Sequence, residues 1–166
     1  MRTAIISAYL AGIVDGEGYI GIKKHAKKSQ VAPSFSAKIQ VRMVDEPAIA
    51  FLAKHCGGSY WRQAAESGKR RPLYCYQATD AHAERILRRL LPFLRVKLAN
   101  AKAVLRFRKW QSRSRKHRTK PLGTRQFAGF RGGVRTVRVM GLSDKYIAVC
   151  EAAWLECKRL NGRGPR

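Results

Sequence analysis

The stretch LAGIVDGEGYIGIKK, residues 10–24, decides how this chain is read. Its first half continues an apolar pattern at helical spacing through Ile6, Leu10, Ile13 and Val14. With Thr3 as a candidate N-cap, that pattern predicts a helix over residues 3–15. The glycines from Gly16 end it. The second half alternates, with Ile20 and Ile22 on one side and Tyr19, Gly21, Lys23 and His25 on the other, which predicts a half-buried strand over 19–27. Two carboxylates, Asp15 and Glu17, sit at the junction, and they are the only acids in the first 44 residues.

Their surroundings make them conspicuous. The 166-residue chain has 35 Lys and Arg against 10 acids, a formal charge of +25. So large an excess repels itself unless a polyanion is near. At 45% hydrophobic residues the chain can bury a core, so it is not a disordered basic tail. Nucleic acid is the first candidate partner and an anionic membrane surface the second. No apolar run approaches the ~20 residues of a membrane span. The N-terminal apolar run stops at Asp15 with no cleavage pattern, so it reads as a core helix of an intracellular protein. Cys56, Cys75, Cys150 and Cys157 form no CxxC pair, which argues against a zinc ribbon. His25, His55, His82 and His117 show no ligand spacing. No GxGxxG or GxxxxGK[ST] is present, so nucleotide-binding folds lose support.

Further along, residues 34–43 alternate cleanly. Phe35, Ala37, Ile39, Val41 and Met43 point one way, and Ser34, Ser36, Lys38, Gln40 and Arg42 the other. Asp45 caps a second helix that Gly57 and Gly58 stop. Two more strands are expected at 59–64 and 72–78. Asp80 is expected to cap a third helix to about Leu91, and a fourth helix to run from about Arg95 to Trp110. Between Glu84 and Asp144 there are 18 Lys and Arg and no acid. Within that interval residues 109–120 read as a loop or arm against phosphate. Ser143 caps a last helix, in which Cys150 and Cys157 share a face as buried thiols. The fold class is α+β, helices behind a sheet whose open face is cationic.

Glu17 falls just past the C-terminus of the first helix, where the helix dipole disfavours an anion. Phosphate arriving at a cationic face makes the position worse. A divalent cation resolves both, because carboxylate and carbonyl oxygens suit Mg²⁺, with phosphate oxygens and water completing its shell. Asp15 reads instead as a polar brace for the glycine turn. Ala4, Ala8 and Gly12 recur at i+4 with Ala11 beside them. That stripe suits either the close approach of a second helix or ordinary packing under a sheet.

LAGIVDGEG, residues 10–18, resembles the signature of the LAGLIDADG homing endonucleases. LLPFLRVKLANAKAVLRF, residues 90–107, is similar to the late segment of that family in which a lysine, here Lys97, closely follows PFL. The likeness spans about residues 3–110, and the single motif resembles the homodimeric branch. It implies an αββαββα core with a four-stranded antiparallel DNA-binding sheet over residues 1–110. A basic loop and C-terminal helix, 111–166, would pack on the same domain.

The resemblance further implies Glu17 and Lys97 as catalytic residues and Glu17 with the Gly16 carbonyl as metal ligands. Mg²⁺ is the implied cofactor, Mn²⁺ a substitute, and Ca²⁺ non-activating. It implies hydrolysis of both DNA strands across the minor groove, an intron-encoded origin, and a dimer contact at Ala8, Ala11 and Gly12. Strand parity and charge nominate Lys23, His25, Ser34, Ser36, Lys38, Gln40, Arg42, Arg62, Tyr74 and Tyr76 as DNA-binding residues. Arg113, Arg115 and Lys116 join them from the basic run. Strands of ~9 residues reach about 30 Å, so a dimer would cover roughly 18–20 near-palindromic base pairs. Two departures stand out. The ligand position is Glu where the family usually has Asp, and a water-ordering glutamine aligns with Met43, which cannot do that job. An RNA-binding maturase and a catalytically inactive regulator are the competing readings on the same scaffold.

Overall fold

The computed structural model describes residues 2–25, 33–64, 71–114, 119–128 and 134–162. In chain order the elements are α1 (Arg2–Glu17), β1 (Gly18–His25), β2 (Ser34–Met43), α2 (Glu46–Cys56), β3 (Tyr60–Gln63) and β4 (Leu73–Thr79). Then come α3 (Asp80–Leu90), α4 (Leu98–Arg113), β5 (Thr119–Ala128), β6 (Val134–Leu142) and α5 (Asp144–Asn161). The first four strands form one antiparallel sheet in the order β1-β2-β4-β3, and β5 and β6 pair separately. The α+β class and the αββαββα core are as the sequence leads one to expect.

Helices α1 to α4 lie against one face of the four-stranded sheet. That face presents Ile20, Ile22, Phe35, Ala37, Ile39, Val41, Tyr76 and Ala78, all buried against Leu10, Val14, Ile49, Leu52, Leu87 and Val104. Removing this apolar surface from water is the main driving force for the fold, at roughly 25 cal/mol per Å². Polar ties fix how the helices sit. Arg89 of α3 donates to the Ser7 hydroxyl of α1 at 2.9 Å and to the His55 carbonyl at the end of α2 at 2.7 Å.

β1 is an edge strand, and α5 covers its open side. Asn161 donates to the Ile20 carbonyl at 2.8 Å, and Glu151 pairs with Lys24 at 2.5 Å. Cys150 and Cys157 are both fully buried there. Burial pushes the Cys157 thiol up to about 11, so it stays protonated. An edge occupied in this way cannot pair with another chain.

Three expectations need correction. Asp80 does not cap α3. Thr79 holds the cap position, while Asp80 adopts φ +47° and accepts from the Ala37 N–H at 3.2 Å. Aspartate tolerates that left-handed conformation better than most residues. The fourth helix begins at Leu98 and runs on to Arg113, so the first part of the basic run is helical rather than a loop. Most of residues 119–142 form a β-ribbon, which charge counting alone did not suggest. Residues 115–118 of the basic run, with Arg115 and Lys116 among them, lie outside the described residues.

α1 passes into β1 with no linker, and one glycine permits it. A Cβ on Gly18 would lie 2.5 Å from the Val14 carbonyl oxygen and 2.9 Å from Val14 Cα, both backbone atoms. By contrast, Cβ atoms on Gly12 or Gly16 would meet nothing within 4 Å. Gly18→Ala should therefore cost about 1–3 kcal/mol, a Tm loss of roughly 3–10 °C, through forced backbone movement. Gly12→Ala should leave the stability of the isolated protomer unchanged or raised. Thermal unfolding at protomer concentrations too low for association would check both; equal losses would contradict the close approach at Gly18.

Candidate functional site

The two acids of the opening stretch have separate fates. Asp15 faces the segment between α3 and α4, and its carboxylate accepts the Arg95 N–H at 2.7 Å and the Lys97 N–H at 2.8 Å. In return, the Lys97 ammonium donates to the Asp15 carbonyl. Asp15 is thus a brace, though for residues 95–97 rather than for the glycine turn. Lys97 holds its charge at the C-terminal end of α1, where the helix dipole favours a cation.

Glu17 is the last residue of α1 and is exposed. It borders an open pocket of about 260 Å³ together with Gly18, Tyr19, Gln40 and Arg42. Every other acid among the described residues has a partner. Asp45 caps α2, Glu46 takes the Tyr60 hydroxyl, and Asp80 and Glu84 hold Arg108. Asp144 holds Lys120, Glu151 holds Lys24 and Glu156 holds Arg106. Among the described acids, Glu17 alone is in no hydrogen bond or ion pair. In a chain of +25 that is an uncommon position for a carboxylate, since a cationic partner would be easy to supply.

The donor set can be weighed against Mg²⁺. No three His, Cys, Asp or Glu converge among the described residues. One Glu17 carboxylate and the adjacent Gly16 carbonyl fall short of the six oxygens Mg²⁺ takes. Alone they could hold such an ion only in part, with the remaining oxygens coming from outside this chain.

From this pocket the outer face of the sheet extends away along β1 and β2. Residues directly opposite in an antiparallel pair share a face, so the register assigns it. Lys23 and Ser36 are opposite each other, as are Gly21 and Lys38, and Tyr19 and Gln40. Gln40 pairs in turn with Gln77, Lys38 with Thr79 and Arg42 with Cys75. His25 lies opposite Ser34, and its Nε2 is 3.3 Å from the Ser36 hydroxyl. Lys38 is only 8% exposed at the middle of this face. Burial, then the charges of Lys23 and Arg42, hold its ammonium below the ordinary lysine value. A phosphate arriving there would relieve that charge crowding.

The same register corrects three nominated residues. Tyr74 and Tyr76 alternate with Cys75, so they belong to the helix-facing side. Tyr76 is fully buried and its hydroxyl donates to the Gly57 carbonyl at 2.9 Å. Tyr74 lies edge-on to Tyr60, 6.4 Å away. Arg62 lies opposite Tyr74, on that side too. The outer face of β3 and β4 instead carries Trp61, Gln63, Cys75, Gln77 and Thr79. Trp61 is 44% exposed, and Gln63 accepts from the Cys75 thiol. Arg113 ends α4 in the helix layer, off the sheet face. Tyr19, which borders the Glu17 pocket, was not nominated from the sequence.

Along α1 the nominated contact residues divide. Ala8 and Gly12 are exposed, whereas Ala11 is fully buried with Leu10 and Val14 in the protomer's own core, so Ala11 cannot belong to an exposed stripe. The exposed side carries Ile5 at 66% and Tyr9 at 55%. Helix α1 is therefore apolar on the side that its own sheet leaves uncovered.

Asp15→Asn keeps the size but weakens a charge-assisted pair of acceptors. It should cost about 1–3 kcal/mol and raise hydrogen exchange at the Arg95 and Lys97 amides, both read on the free protein. Unchanged protection at those amides would contradict the brace.

Comparison of the sequence with known family profiles and with curated proteins finds no match. Comparison of the structure with solved structures does. The homing endonuclease I-CvuI, in complex with its DNA target in the presence of Ca²⁺, superposes with a TM-score of 0.67 at 17% identity, over 99% of this chain and 88% of that one. I-CvuI on the I-CreI target with Mg²⁺, the DNA not cleaved, gives 0.66 at 16% identity over 99% and 88%. The archaeal intron-encoded homing endonuclease I-Vdi141I, complexed with DNA, gives 0.66 at 11% identity over 96% and 86%. The chain has the fold of the LAGLIDADG homing endonucleases.

Proposed function

We propose that this protein is a member of the LAGLIDADG family and cuts double-stranded DNA at a specific site, as a homodimer and with Mg²⁺. The observation that carries this reading is Glu17, a carboxylate with no partner among the described residues, beside the open outer face of a cationic sheet on this fold.

The exposed glycines of α1 support the dimer. Glycine inside a helix costs about 1 kcal/mol relative to alanine, and neither Gly12 nor Gly16 has a neighbour within its own chain that requires it. A second α1 packed across Ala8 and Gly12 supplies the reason, since only small residues let two backbones approach. It would also cover Ile5 and Tyr9. Two-fold symmetry then brings both Glu17 residues to the centre of the complex and fits a near-palindromic duplex of roughly 18–20 base pairs.

Glu17 and the Gly16 carbonyl would hold the ion in this arrangement. When bound, Mg²⁺ polarises water and phosphate and offsets charge on the leaving 3′ oxygen. Lys97, held near the C-terminal end of α1 by Asp15, adds positive charge near the attacked phosphate. Lys23, Lys38, Gln40, Arg42 and Gln77 lie where a major groove would meet the sheet. Arginine and lysine can read guanine there, and glutamine adenine. Gln40, not Met43, borders the Glu17 pocket, and in this reading it would hold water there.

A gel assay on one duplex, selected from a random library by the protein itself, tests the reading. Wild type should make a double-strand break with Mg²⁺, and bind without cutting in Ca²⁺. Glu17→Gln should lose cleavage by about 10²-fold or more while keeping specific binding. Wild-type cutting by Glu17→Gln would remove its catalytic role. Binding without cutting under any metal would favour the maturase or regulator instead.

A further inference from the structure

The β5–β6 ribbon is not used by the site just described. It is a two-stranded antiparallel sheet of its own, and its strands pack chiefly on each other. At 10 and 9 residues, the strands reach about 30 Å.

Its root can be placed. Gln111, near the end of α4, donates to the Phe35 carbonyl, and Glu151 of α5 pairs with Lys24. Phe35 and Lys24 are opposite each other near the end of the β1–β2 pair remote from Glu17. Ser114 and Ser143, which flank the ribbon in sequence, line one pocket with Trp110 and Tyr146. The ribbon therefore starts in the helix layer, at the end of the β1–β2 pair remote from Glu17.

Its charge has one sign. Its two strands carry four Lys and Arg, at 120, 125, 135 and 138, and no acid. The register spreads them over both faces. Arg125 and Arg135 are opposite Val137 and Phe127 on one face, and Arg138 is opposite Thr124 on the other. A ribbon lying flat on a protein would keep one face apolar. Cations on both faces suit a setting with anions on both sides, which is what a groove of duplex DNA offers. The major groove admits a two-stranded ribbon, and phosphates line both its walls.

We propose that the β5–β6 ribbon is a second DNA-binding element, occupying a groove of the duplex outside the stretch covered by the sheet. This rests on the DNA-binding reading above. Its contacts are to phosphate, so it adds affinity and footprint length without adding sequence preference.

The test uses two variants of the full chain. In one, residues 115–142 are replaced by a short Gly-Ser linker, which the shared pocket of Ser114 and Ser143 allows. In the other, Arg125, Arg135 and Arg138 are each changed to Gln, which keeps the ribbon. Hydroxyl-radical footprinting in Ca²⁺, on the library-selected duplex with long flanks, should show about 5 base pairs or more of protection lost at each outer end in the linker variant. Protection of the centre should remain. The triple variant should reduce the slope of log affinity against log salt by about 3 per protomer, at 0.9 per phosphate contact. Both should cut at the wild-type position with Mg²⁺. Unchanged outer protection and an unchanged slope would overturn the proposal, as would unchanged DNA footprints with lost protection of a structured RNA. Lack of cutting by wild type would count against the nuclease reading alone, because the footprint is read without cleavage.

Discussion

The carboxylate of Asp15 accepts two backbone N–H groups from across the molecule, and Lys97 returns a bond to the carbonyl of the same residue. Much of the site depends on this exchange. It fixes the end of α1 against the start of α4, and so sets where the next turn of chain must go. Gly18 then lets the chain leave the helix directly into β1, passing so close to Val14 that no side chain fits. Glu17, the last residue of α1, lies between these two constraints. It is left at the rim of the outer sheet face, beside Tyr19, Gln40 and Arg42.

Electrostatics explains why this arrangement tolerates an unpaired acid. The other described acids have hydrogen-bond or ion-pair partners within the chain, several of which tie helix to helix. Glu17 sits at the unfavourable end of a helix dipole, and Lys97 at the same end offsets part of that cost. On the outer face, burial first and then the charges of Lys23 and Arg42 hold the Lys38 ammonium below the ordinary lysine value. The free protein is therefore strained in charge in two places of opposite sign. A phosphate chain with a divalent cation relieves both, which is the physical content of the functional proposal.

The sequence was legible where one side of an element is plainly apolar. β1 and β2 alternate cleanly, so their faces, and with them Lys23, Lys38, Gln40 and Arg42, could be assigned from parity. The helix-facing side of β4 could not, because Tyr74, Cys75 and Tyr76 blur the alternation and a tyrosine can be fully buried once its hydroxyl has a partner. Gln77 and Ala78 carried the correct parity, polar out and small in. β3 is four residues long, too short to show a period, and Arg62 was misplaced with it. Ala11 follows Ser7, Leu10 and Val14 on the buried face of α1, a helical spacing that the more visible i+4 stripe of small residues obscured. The ribbon announced itself in VRTVRVM after a Gly-Gly pair, a hairpin signal that the density of positive charge masked.

The account stands or falls on whether Glu17 meets a metal when DNA is bound. The direct measurement is anomalous diffraction from crystals of the protein on its selected duplex with Mn²⁺ in place of Mg²⁺. The account predicts a manganese peak within bonding distance of a Glu17 carboxylate oxygen, next to a phosphate of the duplex and near the two-fold axis relating two α1 helices. A DNA complex in which manganese lies elsewhere, or in which Glu17 instead pairs with a lysine or arginine of its own chain, would contradict it.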